Sequence, residues 1–438
     1  MKKYLIITYG CQMNENDSEK ISGMVEELGY SRTEDEKDAD LIIMNTCSVR
    51  ENANNRFFGN LGNFKKLKKK KPDLILAVCG CMMQEGHIVK KIKEKYSFVD
   101  IVFGTHNISS LPSLLEECDA KRKLIVEVLE DSDKLAEGLP VHRQFKHKAF
   151  VSIMKGCNNF CSYCIVPYTR GRERSREYQN ILSEVRELAN DGVKEVTLLG
   201  QNVNSYGKNL YDPVPFAKLL KMVSEVEGIE RVRFMTSHPK DLSDELIEVI
   251  RDNPKICRHI HLPMQSGSSR ILKLMNRHYD KDTYIKLVKK IRREIPDVAI
   301  TTDIIVGFPT ETEEDFLDTL DVYKECEFDT AFTFIYSKRE GTKAAVMDGQ
   351  IDEKTVKDRF DRLLKLHDEI VLKQNKKYLN REVDILIDGK SKTNDNVLTG
   401  RTSSFKLVNF TGKGETGDIV KVKITDVHTF HLSGEVIE

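Results

Sequence analysis

The chain has 438 residues, 39% hydrophobic and 32% charged, with 69 Lys and Arg balanced by 69 Asp and Glu and with ten cysteines. That length exceeds one ordinary core and asks for two or three domains. No apolar run approaches the ~20 residues of a membrane-spanning helix, and zero net charge excludes bulk attraction to nucleic acid, so any RNA contact must come from local patches.

The opening stretch from Met1 to Cys11 has too short an apolar core for a signal peptide, and polar Gln12 to Asp17 follow without a cleavage pattern. A cytoplasmic location is therefore expected, where thiols stay reduced and cysteines serve metal or redox chemistry. Up to Phe103, short apolar runs alternate with helical stretches. Leu5–Tyr9, Leu41–Met44, Leu74–Val78 and Val99–Phe103 are predicted strands, with helices over Ser18–Leu28 and Glu51–Lys70 between them. Such alternation predicts an open parallel sheet covered on both faces. The lysine run Lys65–Lys71 fits a solvated helix face better than an RNA patch.

A helix over Leu111–Lys121 and a connecting stretch to Pro140 precede a second alternating series. Its six strands are Phe150–Met154, Glu195–Leu199, Val232–Met235, His259–Leu262, Ile300–Val306 and Ala331–Tyr336, with helices such as Asn180–Asn190 and Lys281–Ile295 between them. Six strands fit a partial (β/α)6 barrel better than a closed eight-stranded one. A charged helix, Ile351–Lys377, leads to short alternating strands at Glu382–Ile387, Asn396–Gly400, Ser404–Val408 and Ile419–Val427, which read as a small β-barrel. The expected fold class is thus α/β with three domains and a linker: an open parallel sheet at 1–120, the linker at 121–140, a partial barrel at 141–373 and a β-barrel at 374–438.

Cys157, Cys161 and Cys164 fall within eight residues directly after a strand. Three thiolates on one loop can face one point, and structural zinc would want a fourth ligand that the following residues lack. Three thiolates leave one iron of a four-iron cluster open to a small molecule. The spacing C-x3-C-x2-C, with Tyr163 before the last cysteine, resembles the radical S-adenosylmethionine superfamily. That resemblance implies that the open iron chelates S-adenosylmethionine and that one electron splits it to a 5′-deoxyadenosyl radical. It also points to Gly200 and Gln201, after the second barrel strand, and to Gly307 and Phe308, after the fifth, as cofactor contacts beside Tyr163.

Cys11, Cys47 and Cys81 each follow a predicted parallel strand, which puts three thiols at the carboxyl edge of one sheet, where open α/β sheets bind ligands. Cys79 competes with Cys81 as the third ligand. It adjoins the strand and can face the core, whereas Cys81 lies beyond Gly80 where the loop can bend outward. Cys118, Cys257 and Cys326 have no ligand-like spacing and read as ordinary apolar residues.

The wording Gly10-Cys11-Gln12-Met13-Asn14, Asn45-Thr46-Cys47-Ser48-Val49-Arg50-Glu51 and Gly80-Cys81-Met82 resembles the methylthiotransferase family over essentially the whole chain. Within it, Gln12-Met13-Asn14 and Ser48-Val49-Arg50-Glu51 point to the branch acting on N6-isopentenyladenosine in tRNA, ahead of relatives acting on threonylcarbamoyl-adenosine or a ribosomal protein, and far ahead of a plain iron–sulfur electron carrier. The resemblance implies a C-terminal TRAM domain that binds RNA, two 4Fe–4S clusters, two S-adenosylmethionine molecules per turnover, a low-potential electron donor and a sulfur donor. Its activity would replace the C2 hydrogen of the adenosine on the 3′ side of the anticodon with a methylthio group. Arg170, Arg172, Arg174 and Arg176 alternate along a segment after the first triplet and are candidate phosphate contacts, with salt bridging to Glu173 and Glu177 an equal reading. Residues 376–438 carry ten Lys and Arg against nine Asp and Glu, so their RNA role rests on the resemblance and not on charge.

Overall fold

The computed structural model describes residues 1–48, 51–121, 123–131, 135–392 and 394–437, without the side chains of 51–53. Val49 and Arg50, part of the wording around Cys47, lie outside the described residues. The chain divides into two compact units. One holds Met1–Gln144, Met154–Phe160 and Cys164–Arg174; the other holds Phe145–Ile153, Cys161–Tyr163 and Ser175–Glu438. Among the described residues no helix is long and apolar enough to cross a membrane.

The first unit is built on a parallel sheet of six strands: β1 (Lys3–Thr8), β2 (Ser31–Arg32), β3 (Leu41–Thr46), β4 (Ile75–Gly80), β5 (Ile101–Phe103) and β6 (Ile125–Glu127). They lie in the order β2-β1-β3-β4-β5-β6. Helices α1 (Gln12–Glu27), α2 (Glu51–Lys70), α3 (Gly86–Lys95) and α4 (Leu111–Lys121) cover it. Side chains alternate across each strand. Leu41, Ile43, Ile75, Ala77 and Cys79 face one core with Ile21 and Val25 of α1 and Leu111 and Leu115 of α4. Ile42, Met44, Leu76 and Val78 face the other, with Phe57 and Leu61 of α2 and Ile88 and Ile92 of α3. Each such aliphatic side chain contributes ~1.5–3 kcal/mol on burial. The sheet gains two strands over the four expected, because β2 and β6 are too short to show a period. α1 also starts earlier than expected, at Gln12, because its polar first turn is buried and not solvated: Asn14, Asn16 and Asp17 are all inaccessible.

In the second unit β7 (Lys148–Ser152) precedes the short strands β8 (Met154–Lys155), of the first unit, and β9 (Arg174–Ser175), which straddles the division. β10 (Glu195–Leu199), β11 (Arg231–Phe234), β12 (His259–His261), β13 (Ala299–Val306) and β14 (Thr330–Ile335) complete the expected six. They form two parallel arcs, β7-β10-β11 and β12-β13-β14, joined by a bridge between Val232 and Ile256. This is a partial barrel. Five C-terminal strands, β15 (Glu382–Lys390), β16 (Leu398–Thr402), β17 (Leu407–Thr411), β18 (Ile419–Val427) and β19 (Leu432–Val436), close into a barrel in the order β15-β16-β17-β19-β18. The expected strand at Ser404–Val408 starts later, since residues up to Lys406 form a turn back to Thr402, and β19 is a fifth strand.

The small barrel is not a loosely tethered module. Arg231 donates to the carbonyls of Arg401 and Asp384, both at 2.9 Å. Arg233 donates to Ser403 O (2.9 Å) and Thr402 O (2.7 Å) and pairs with Glu195 (2.9 Å). The β16–β17 turn therefore caps the amino ends of β10 and β11. Its residue Phe405, in left-handed backbone at φ +67°, stacks on His259 with centroids 5.1 Å apart.

Candidate iron–sulfur sites

Cys11, Cys47 and Cys81 stand at the carboxyl ends of β1, β3 and β4, three consecutive neighbours in the sheet. Two glycines let the loops approach. A Cβ on Gly10 would lie 2.8 Å from Cys47 Cβ; one on Gly80, at φ +96°, would lie 2.3 Å from Thr46 O. Two buried asparagines brace the turns. Asn14 Nδ2 donates to Thr46 O (3.0 Å) and its Oδ1 accepts from Cys11 N (3.4 Å), while Asn45 Nδ2 donates to Asn14 O (2.8 Å) and Ser18 Oγ (2.9 Å). Asn14 and Asn45 were legible only as family wording; their work is to hold two cysteine loops together.

The neighbouring Cys47 thiol draws the Cys11 thiol below the usual range, against burial and with help from the Arg170 charge. Burial pushes Cys81 up, partly offset by Arg170, and pushes Cys79 far up with no cation to offset it. Among the described residues no three His, Cys, Asp or Glu side chains are gathered tightly enough for a single metal ion. A four-iron cluster asks for a wider set, because each cysteine binds a different iron. The buried Ser48 hydroxyl beside Cys47 also has no hydrogen-bond partner among the described residues. This donor set fits a cluster.

The arginine series does not form one phosphate-binding face. Arg170 is only 7% exposed and donates to Cys81 Sγ (3.2 Å) and Asp17 (2.7 Å). Arg176, also 7% exposed, donates to Ser152 O (2.6 Å) and pairs with Glu184 (2.7 Å). Neither guanidinium reaches solvent, which removes both from the RNA contacts expected of them. The acidic partner of Arg170 lies 153 residues away in sequence, and Glu184 is an acidic partner of Arg176. Arg172 is exposed over the Phe160 ring at 4.3 Å, and Arg174 is half-buried against Asp131 (2.9 Å). In the lysine run, Lys68 pairs with Asp100 and Lys71 with Asp40, so two of its cations are internal.

In the other triplet, Cys157 N donates to Gly171 O (3.1 Å), and the preceding Gly156 is pressed so near Arg172 O that a Cβ would lie at 2.0 Å. Phe160 takes a left-handed backbone at φ +44°. In the second unit, Ser162 is pinned to the carbonyls of Leu274 and Met275, and Arg277 donates from Nη1 to Cys161 Sγ (3.3 Å) and from Nε to Tyr279 Oη (3.0 Å). Sequence reasoning missed Arg277. Asn276 and His278 on either side of it both take left-handed backbone, at φ +61° and +58°.

The loops after β10 and β11 carry buried polar atoms with no hydrogen-bond partner among the described residues: Gln201 Oε1, both amide atoms of Asn204, Ser237 Oγ and His238 Nε2. His238 N donates to Asn202 Oδ1 (3.1 Å), which holds the two loops side by side. Burial and the Arg277 charge push His238 down to about 2, so its ring is neutral. Orphaned donors and acceptors on adjacent strand ends suit a polar ligand such as S-adenosylmethionine. Gly200 is buried at the end of β10. Gly307, at φ +78°, gives its N–H to Glu311 (3.2 Å). Phe308 is completely buried in an apolar cluster with Ile271, Met275 and Ala344, against which Tyr163 packs. Its ring lies wholly within that cluster, beside Tyr163 of the cysteine loop, so its side chain is not placed for the expected cofactor contact.

Residues 3–104 match the Uncharacterized protein family UPF0004, residues 151–323 the Radical SAM superfamily and residues 376–437 the TRAM domain. The tRNA-2-methylthio-N(6)-dimethylallyladenosine synthase of Alkaliphilus oremlandii (strain OhILAs) is 57% identical over 438 residues, 100% of this chain and 93% of the relative. The protein of that name from Clostridium tetani (strain Massachusetts / E88) is 57% identical over 99% of this chain and 96% of its own length. Among solved structures, the radical S-adenosylmethionine methyltransferase TsrM from Kitasatospora setae shares the fold at a TM-score of 0.57 and 13% identity, over 79% of this chain and 75% of that one. The superfamily match makes this an enzyme of 4Fe–4S and S-adenosylmethionine chemistry. The chain belongs to the family of tRNA-2-methylthio-N(6)-dimethylallyladenosine synthases, radical S-adenosylmethionine methylthiotransferases.

Proposed function

We propose that the chain attaches a methylthio group to C2 of N6-isopentenyladenosine, next to the anticodon of tRNA. Full-length identity to synthases of that name carries this reading. Cys157, Cys161 and Cys164 hold the cluster that binds S-adenosylmethionine, and Cys11, Cys47 and Cys81 hold a second cluster. When bound, these groups supply the one-electron chemistry that breaks an unactivated C–H bond and the sulfur that replaces the hydrogen. The residues of the chain do the rest. Asn14 and Asn45 hold the sheet-edge loops, Arg277 orients Cys161, and Gln201, Asn204, Ser237 and His238 offer polar atoms to the cofactor. Burial around them excludes water from a reactive site.

The division of labour follows the three parts: residues 1–120 for the second cluster, 141–373 for radical generation and 374–438 for RNA. A second S-adenosylmethionine is the methyl donor, and a low-potential reductant and a sulfur donor are the partners. Arg172 and Arg174 are the phosphate contacts left by the burial of their neighbours, and a reducing cytoplasm suits six unprotected thiolates. Mass analysis of tRNA nucleosides tests the reading. Cells lacking the chain should accumulate isopentenyladenosine without its methylthio form, and the gene should restore it. Loss of a threonylcarbamoyl-adenosine derivative, or of a modified ribosomal protein, would place the enzyme in another branch.

A further inference from the structure

One pair of residues touches both cysteine loops of the first unit. Backbone hydrogen bonds from Tyr168, Thr169 and Arg170 back to Ile165 and Val166, at 2.8–3.1 Å, make a helical turn, α5 (Val166–Thr169), that begins just after Cys164. That turn fixes Arg170 at a set offset from Cys164. Gly171, the next residue, accepts the backbone N–H of Cys157 at 3.1 Å. The Arg170 side chain runs to the sheet edge, where Nε donates to Cys81 Sγ (3.2 Å) and Nη2 to Asp17 (2.7 Å).

A buried guanidinium is costly unless its donors meet anions. Asp17 alone would balance Arg170, and a plain internal ion pair would need no third partner. Instead the fork of the guanidinium is split, one nitrogen on the carboxylate and one on a sulfur that carries negative charge once it ligates iron. Arginine suits this better than lysine, since it cannot lose its proton and presents donors in two directions at once. Three thiolates around a four-iron core leave the assembly net negative, and N–H groups directed at the ligating sulfur withdraw charge from it and favour the reduced state.

We propose that Arg170 is a positioning and charge-balancing residue of the second cluster, and that the turn from Cys164 to Arg170 ties the placement of that cluster to the loop holding the first. The proposal rests on the second cluster put forward above. It is tested in the Cys157→Ala/Cys161→Ala/Cys164→Ala background, whose only cluster would be the sheet-edge one, by iron and sulfide content after anaerobic reconstitution and by an EPR-monitored redox titration. Arg170→Gln should shift the midpoint to lower potential, or lose the cluster, while Arg170→Lys keeps the cluster and most of the potential. Asp17→Asn/Arg170→Gln, which strands no buried charge, guards against simple misfolding and should still shift downward through loss of the N–H on Cys81, by less than Arg170→Gln alone because the Asp17 charge goes with it. An unchanged midpoint in both glutamine variants, or equal effects of Lys and Gln, overturns the role of Arg170. No iron in the parent background overturns the second cluster itself, and the proposal with it.

Discussion

Replacing Arg233 by Met should loosen the small barrel from the central one, and the size of the effect follows from its partners. The guanidinium is buried, and its loss strands the buried Glu195 carboxylate and unpairs the carbonyls of Thr402 and Ser403. Breaking a buried pair from one side costs about 3–5 kcal/mol. If that cost falls on local opening of the junction, the opened fraction rises roughly a hundred- to several-thousand-fold, at tenfold per ~1.4 kcal/mol. Cys257 reports it, since its buried thiol lies beside Arg231, Arg233 and Ser403. The rate of Cys257 alkylation under native conditions, read by peptide mass mapping, should rise by that factor in Arg233→Met. Glu195→Gln added to it should recover at least about tenfold by removing the stranded charge. A change of less than tenfold in Arg233→Met would refute the account of a clamped junction.

Three other outcomes follow from the same geometry. Cys81→Ala should lose the iron of the sheet-edge cluster while Cys79→Ala keeps it, because Cys79 packs among Leu41, Ile43 and Ala77 in the core; the reverse pattern of iron content would reassign the ligand. Deleting residues 378–438 should depress tRNA binding and S-adenosylmethionine cleavage together, since it uncaps Arg231 and Arg233; a stable truncation that cleaves at the full rate would show the barrels to be independent. Burial raises the Asp388 carboxyl, but His147 and Lys148 outweigh it and hold it at about 2. Its pKa is depressed on folding, so its contribution of about 2 kcal/mol is present above pH ~4 and lost as pH falls toward 2. Asp388→Asn should flatten the acid limb of the melting temperature of the cluster-free protein over that window, and an unchanged limb would count against it.

How much of this was legible depended on whether partners lie near in sequence. The triplet Cys157, Cys161 and Cys164 falls within eight residues, so its spacing is plain in the sequence itself. Cys11, Cys47 and Cys81 are far apart, yet each follows an apolar run that can only be a buried parallel strand, so the sheet supplied the missing proximity. The same reasoning failed for Gln12 to Asp17. A polar run reads as solvated, but here the sheet edge buries Asn14 and Asp17 against the cysteine loops. The alternating arginines failed for a related reason. Alternation puts side chains on one side only along a continuous strand, whereas Arg170 ends a helical turn and Arg176 lies past a two-residue strand. The partner of Arg170 is Asp17, 153 residues away, a separation no local pattern reports.

Arg170 and Arg277 make the point more generally. Each is buried, each stands in its own unit, and each donates to one sulfur of a cysteine triplet, Arg170 to Cys81 at 3.2 Å and Arg277 to Cys161 at 3.3 Å. Their other contacts differ, a carboxylate for Arg170 and the Tyr279 hydroxyl with the Pro263 carbonyl for Arg277. What they share is a fixed cation at a cysteine sulfur in an apolar setting. In a low dielectric such a charge acts strongly on the sulfur beside it. At Arg277, whose hydrogen bonds go to a sulfur, a hydroxyl and a carbonyl, a buried lysine would favour its neutral form, whereas at Arg170 the Asp17 carboxylate would keep a lysine charged and arginine adds donors in two directions. Two unrelated loops thus each set a permanent cation against a cysteine sulfur, one balanced by a carboxylate and the other by neutral oxygens.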